Sequence, residues 1–308
     1  ATEYASGYYT YTVANNQATI TKADSAISGS VTIPSTLDGY TVIGIGSYAF
    51  QNLTGIKSLT IPNSITTIGD SAFKGCTSIT SVTIGSGLTA IPYRGFNDCT
   101  SLETLKIGSG VTTINQYAFA GCTALSSITW GSSLKTIGTD AFRGCTALTT
   151  LSIPNTVTAI NGSAFYGRSA ITNLTIGNKV TSIGSSAFDH CTGLKSVIIP
   201  DSVTTMGDYA FRGCNNVKTV YFPESLQKIS YYSFNGCTSI TDVYYAGSSS
   251  DWTYVTIENG NDPIKNATFH YNYDPNPDVT KPTTSITSTN NLATSQTVTL
   301  KMTDNVGV

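Results

Sequence analysis

Residues 96–118 read FNDCTSLETLKIGSGVTTINQYA, and Phe119 begins the same unit again. Within this stretch Thr104-Leu105-Lys106-Ile107 alternates polar and apolar residues and ends at Gly108. That pattern is a short strand with one buried face. A second apolar pair, Val111 and Ile114, stands three residues apart and leads into Ala118-Phe119. One unit therefore reads as strand, turn, short extended stretch and a turn at Phe.

Outward from this unit the spacing never slips. Phe50, Phe73, Phe96, Phe119, Phe142, Phe165, Phe188, Phe211 and Phe234 are each 23 residues apart. A fixed period of this length without an insertion indicates a solenoid. A small residue precedes each Phe (Ala49, Ala72, Gly95, Ala118, Ala141, Ala164, Ala187, Ala210, Ser233), and Pro or Gly usually ends each strand, as at Pro62, Gly85, Pro154 and Pro223. A coil of this size cannot bury both of its faces, so neighbours must stack into a continuous core. The strands then form a parallel sheet with a spacing of about 4.8 Å, and about ten coils give a length on the order of 50 Å.

Two turn positions follow the same period. Two residues after each Phe stand Asn52, Gly75, Asp98, Gly121, Gly144, Gly167, His190, Gly213 and Gly236. These types tolerate positive φ, which predicts a tight turn closing a short helical step. The residue after the second Ile is mostly Gly or Asn, as at Gly69, Asn115, Gly138, Asn161, Gly184 and Gly207. Pro92 departs from that pattern with a φ fixed negative, so the coil around it is expected to be rerouted.

The unit C-x-x-L-x-x-[LIV]-x-I-[PG]-x-x-[LV]-x-x-I-G-x-x-A-F-x-G, spanning about residues 18–246, resembles the bacterial leucine-rich repeat of the BspA and Treponema type. The resemblance implies a β-rich, right-handed leucine-rich-repeat solenoid with a parallel sheet on one face and short helical or turn segments on the other. It also implies a protein secreted or attached to the cell surface of a host-associated microbe, and a role in adhesion to host proteins or other cells.

Residues 1–30 hold two strand-like runs, Tyr8–Val13 and Ala18–Thr21, joined by Asn15-Asn16, and read as an N-terminal β-hairpin cap. The solenoid is expected over 31–246, with a C-terminal cap at 247–273. Asp274-Pro275-Asn276-Pro277-Asp278 makes 274–280 a stiff linker. Residues 281–308 resemble the first strands of a truncated immunoglobulin-like domain, too few to form a core.

Composition narrows the function. Charged residues are 11% of the 308, and the formal net charge is -2, which does not suit a nucleic-acid binder. No run of about 18 apolar residues exists to cross a membrane. The start, Ala1-Thr2-Glu3, lacks a signal peptide, which is expected to have been removed if the protein is exported.

Seven cysteines (Cys76, Cys99, Cys122, Cys145, Cys191, Cys214, Cys237) stand three residues after a Phe, with Arg168 in that place after Phe165. With no C-x-x-C and only His190 and His270 to help, zinc is poorly supplied, and a ladder of small buried thiols is the better reading. His190 adjoins Cys191, but neighbours at a turn rarely meet as a nucleophile pair. No hydrolase, zinc-protease or phosphate-loop motif occurs, and Gly44-Ile45-Gly46 is accounted for by the repeat. No catalytic residue, metal or cofactor is expected. Asp251, Glu258, Asn259, Asn261 and Asp262 cluster near the end of the solenoid, and Asp274 and Asp278 flank the linker. Either group reads as a calcium candidate or as loop solvation.

The outward strand positions are more informative. They run Ser58/Thr60, Ser81/Thr83, Thr104/Lys106, Ser127/Thr129, Thr150/Ser152 and Asn173/Thr175, then change to Ser196/Ile198, Thr219/Tyr221 and Asp242/Tyr244. Solvent-facing aromatics on a rigid sheet suit a binding hot spot, although cross-strand pairing or cover by Trp252 are alternatives. Ile198, Thr219, Tyr221, Asp242 and Tyr244 are therefore the ligand-binding candidates. Trp130, which replaces an inward Ile, is a further one. The expected function is a monomeric, non-catalytic adhesion module for a host or bacterial surface protein or a polysaccharide. A stalk presenting another domain, or the non-catalytic part of a larger carbohydrate-active surface enzyme, are the alternatives.

Overall fold

The structure, a computed structural model, describes residues 2–273. The expected linker and immunoglobulin-like segment lie outside the described residues. The fold is a β-solenoid held by three hydrogen-bonded ladders along its axis.

The first ladder carries the alternating strands. They are β1 (Gly29–Thr32), β2 (Ile56–Ile61), β3 (Ser81–Ile84), β4 (Thr104–Lys106), β5 (Ser127–Thr129) and β6 (Thr150–Ser152). The series continues with β7 (Asn173–Thr175), β8 (Ser196–Ile198), β9 (Thr219–Phe222), β10 (Asp242–Tyr245) and β11 (Thr268–Tyr271). Pairing is parallel, and register places equivalent residues side by side, for example Leu105 beside Val82 and Ile128. The ladder breaks twice, into β1–β5, β6–β7 and β8–β11.

The second ladder runs through the extended stretches, for example Ala90–Ile91 beside Thr113–Ile114 and Thr136–Ile137 beside Ala159–Ile160. Gly69, Asn115, Gly138, Asn161, Gly184 and Gly207 each donate a backbone N–H to the Ile carbonyl of the preceding coil. Glycine serves here for close approach rather than for positive φ. A Cβ on Gly69 would stand 2.3 Å from the Ser47 nitrogen, and one on Gly207 would stand 2.4 Å from that of Ser185. The expectation that Pro92 reroutes its coil is not met, because φ is negative throughout this column. Phe96 keeps its place between Phe73 and Phe119, at 5.2 and 5.3 Å. What Pro92 costs is one N–H. Thr67–Ile68 pairs backward to Tyr40–Ile45 and not forward to Ala90–Ile91.

The third ladder is at the Phe turn, where turns and not helical steps occupy the repeats. Each Phe from Phe50 to Phe211 donates its N–H to the residue before the next Phe at 2.8–3.0 Å. The residues two before and two after each Phe both have positive φ, 52–60° and 58–78° respectively. Those αL residues turn alternate N–H groups along the axis, so that Tyr48, Phe50 and Asn52 donate in turn to Asp70, Ala72 and Lys74. Inside, consecutive Phe rings stack at 4.8–5.5 Å from Phe50 to Phe234, all of them buried.

The ends differ from the repeats. Tyr9–Ala14 and Gln17–Ala23 form an antiparallel hairpin whose turn, Asn15-Asn16, has φ of 50° and 61°. Both values positive is the geometry that suits strand twist. Glu3–Ser6 adds a strand the sequence reading missed, and Gln17–Ala23 joins Tyr40–Ile45 in parallel. At the other end Trp252 packs on Phe222, Tyr245 and Phe269.

Candidate functional site

The outward row of the last four strands is set by register. Ile198 lies beside Tyr221, Tyr221 beside Tyr244, and Tyr244 beside His270. Each strand supplies one residue of the row, since alternate positions share a face. Tyr221 and Tyr244 stack at 4.9 Å, and Tyr244 stacks on His270 at 4.4 Å. Tyr273 leans on both tyrosines, at 5.3 and 4.6 Å. The result is a half-buried aromatic ledge with Ile198, 48% exposed, at its open side.

A polar row runs beside the ledge, in which Thr219 pairs in register with Asp242. Asp242 accepts hydrogen bonds from His270 Nε2 at 2.8 Å and from the Thr241 hydroxyl at 2.7 Å. These bonds, His270 first, hold its carboxyl below the usual carboxylate range. Ile198, Thr219, Tyr221, Asp242 and Tyr244 are therefore brought together. Trp130 is not among them. It lies four coils before Tyr221, on the far side of both breaks in the ladder, edge-on to Phe142 at 5.6 Å.

His270 and Tyr273 are the members of the ledge that sequence reasoning missed. Both lie beyond the last full repeat, where no period aligns them with the tyrosines. A second row was missed on the turn face, where Tyr209 stacks on Tyr232 at 5.3 Å and Arg212 lies over Tyr209. Its signal was the column two before each Phe.

The other candidates are absorbed by the fold. Each Cys Sγ donates to the carbonyl of the Phe 26 residues earlier, from Cys76 on Phe50 at 3.0 Å to Cys191 on Phe165 at 3.4 Å. All seven are buried and unpaired. Burial pushes the Cys76 and Cys191 thiols up to about 12. His190 bonds the buried carboxylate of Asp189, which Arg212 also grips through Nε and Nη2 at 3.2 and 2.6 Å. In the acidic group, Asp251 caps a short helix with Ser248, and Glu258 pairs with Lys228 at 2.9 Å. Asn261 is fully buried. Among the described residues no three His, Cys, Asp or Glu side chains converge as metal ligands.

Arg168 is the exception in the thiol ladder. It is fully buried between Cys145 and Cys191, and among the described residues no N or O atom accepts a hydrogen bond from its guanidinium nitrogens. Burial lowers its pKa, which is the expected response of a desolvated cation. Arg168 lies five residues before β7, the strand that does not pair with β8.

The family model described as the BspA type leucine rich repeat region, in six copies, matches residues 43–172 and 158–277. No curated protein matches the chain. Among solved structures, a leucine rich cell surface protein from Faecalibacterium prausnitzii is 24% identical, over 84% of this chain and 99% of that one, with a TM-score of 0.43. A leucine-rich repeat protein from Bacteroides ovatus is 21% identical, over 87% and 99%, with a TM-score of 0.40. The pneumococcal vaccine antigen PcpA is 16% identical, over 89% and 98%, with a TM-score of 0.43.

Proposed function

Because the chain belongs to the BspA-type leucine-rich repeat family, we propose that it is a non-catalytic binding module, secreted or held at a cell surface. It grips a protein or a polysaccharide along the exposed face of its parallel sheet. The aromatic ledge of Tyr221, Tyr244, His270 and Tyr273 carries this reading. The rings are already stacked in the free protein, so little side-chain entropy is left to lose on binding. The four residues stay half-exposed, and Asp242 and Thr219 supply polar partners at the rim. The Ser and Thr residues of earlier strands extend the surface with hydrogen-bonding groups of low charge. No helix among the described residues is long and apolar enough to cross a membrane.

The test is a protein and glycan array read with wild type and with the double variant Tyr221→Ala/Tyr244→Ala. Truncating a hot-spot ring costs about 2 kcal/mol, so loss of both should weaken binding by about 4 kcal/mol, roughly a thousandfold. Unchanged affinity for every ligand the wild type binds removes the ledge as the site. No ligand for either protein favours a scaffold role.

A further inference from the structure

Between β5 and β6 the sheet opens. Among the described residues β5 pairs only with β4, and β6 only with β7. Their Cα atoms lie mostly more than 8 Å apart, against about 4.8 Å in a paired ladder. Trp130 stands where Ile61, Ile84 and Ile107 stand in earlier coils, and its indole is the larger group. The same two coils stay joined elsewhere, by Thr136 beside Ala159 and by Phe142 stacked on Phe165 at 5.4 Å. The opening is thus one-sided. It forms a groove of about 360 Å³ lined by Ser126, Ile128, Trp130, Leu148, Thr150 and Pro154 among others, none of them charged.

Both walls of this groove are open strand edges. In a strand, backbone polar groups alternate between the two neighbours. Ser127 donates back toward β4, and Thr129 accepts from Ile107. The N–H groups of Ile128 and Trp130 and the carbonyls of Ser126 and Ile128 therefore face the gap. Ile153 donates forward to Thr175, so the N–H and carbonyl groups of Thr150 and Ser152 face the gap from the other side. Among the described residues no hydrogen bond crosses it. Two facing edges too far apart to pair with each other, with their donors and acceptors unmet, are complementary to one more strand.

We propose that this gap receives one extended segment of a partner protein, lying parallel to β5 and β6 and hydrogen-bonded to both. The inward side chains of the segment meet Ile128, Leu148 and Leu151, which selects β-branched apolar residues. Its outward side chains lie among Ser127, Thr150 and Ser152, which selects small hydroxyl residues. The occupant is an uncharged alternating strand. A sugar ring needs an aromatic face to lie on, whereas Trp130 is half-buried and held edge-on against Phe142. This site goes beyond the aromatic ledge and does not depend on Tyr221 or Tyr244.

The probe is a fluorescein-labelled synthetic peptide with the sequence of residues 78–86, SITSVTIGS. A control peptide carries proline at its second serine and at the second residue after that, which removes backbone donors. Anisotropy should show saturable binding of the first and affinity at least about tenfold weaker, about 1.4 kcal/mol, for the second. The amides of Ile128, Trp130, Thr150 and Ser152 should exchange fast in the free protein and become protected with the peptide. Trp130→Ile restores the repeat residue and should protect those amides without peptide and weaken peptide binding at least about tenfold. Tyr221→Ala/Tyr244→Ala should change neither readout. The proposal is overturned if these amides are already protected in the free protein, or if the proline peptide binds equally well. It is also overturned if cellohexaose protects the amides and the peptide does not.

Discussion

The side-chain oxygen of Asn261 accepts the backbone N–H of Phe234 at 3.0 Å. In every earlier coil that N–H meets a backbone carbonyl of the next coil, such as Phe211 on Ser233. Asn261 thus imitates one rung of a coil that does not follow. Its Nδ2 meanwhile donates to the carbonyls of Ser230 at 2.8 Å and Glu258 at 3.0 Å. Asn261→Ala leaves the buried Phe234 N–H without its acceptor and removes both carbonyl contacts, and should cost about 1–3 kcal/mol. Asn261→Asp keeps the acceptor and loses both donors. Urea unfolding of the three proteins measures the difference, and an alanine variant as stable as wild type refutes the capping role.

Arg168 interrupts the thiol ladder with an unpaired cation. Arg168→Cys should stabilise the protein, since removing a poorly paired buried charge in favour of a packed residue gains about 1–4 kcal/mol. The new thiol also regains the Phe142 carbonyl as acceptor, as each Cys does one coil over. A thermal melt in which the variant unfolds at or below the wild-type temperature contradicts this.

The thiols should be inert in the folded protein. Nucleophilic thiolate is scarce when burial holds the Cys76 and Cys191 pKa at about 12, and the Cys145 thiol at about 11, with the Arg168 charge opposing its burial. None of the seven should react with a thiol reagent at pH 8 until denaturant is added. Rapid native labelling at several sites is the contrary result.

The N-terminal strands should loosen at both extremes of pH. Tyr11 donates to Asp38 at 2.7 Å, and Ser6 donates to the same carboxylate at 2.9 Å. The first bond raises the phenol to about 12, and both lower the Asp38 carboxyl. A raised phenol pKa gives stability that is complete below about pH 10, its unfolded value. That stability is lost as pH rises through about 12. A lowered carboxyl gives stability that is present above the ordinary carboxylate range and is lost as pH falls through the folded value. Amide exchange of residues 9–23 against pH should show both limbs, and Tyr11→Phe should abolish the alkaline one. Identical alkaline profiles in wild type and variant speak against this pair.

The solenoid was legible because one period governs it: a Phe every 23 residues fixes coil, core and strand together. Positive φ two residues after each Phe was readable from Gly, Asn and Asp. Positive φ two residues before was not, because Tyr48, Arg94 and Tyr117 occupy it against their intrinsic preference. There the axial hydrogen bond decides, and that is a property of neighbouring coils rather than of local sequence. Trp130 and Arg168 stood out as departures from the repeat, but their effect depends on whether a stacked coil absorbs or rejects the extra volume. The capping role of Asn261, which the sequence offered only as a calcium or loop residue, was invisible for a related reason. A part used once, at an end, leaves no periodic trace.

The groove at Trp130 also decides how the rod bears load. Between the coils of β5 and β6 the sheet ladder is missing, and at the Phe turn the bond from Gly144 toward Tyr166 is missing as well among the described residues. What remains joined is the Thr136–Ala159 side and the part of the Phe turn where Asp140 donates to Gly162 and Phe142 to Ala164, both at 3.0 Å. Since each coil holds only its neighbours, tension applied to the two ends would concentrate there. The molecule would flex like a book on its spine, spreading the sheet side first. A tethered protein pulled by flow would thereby widen the Trp130 cleft, while the Phe stack of the remaining coils stays shut.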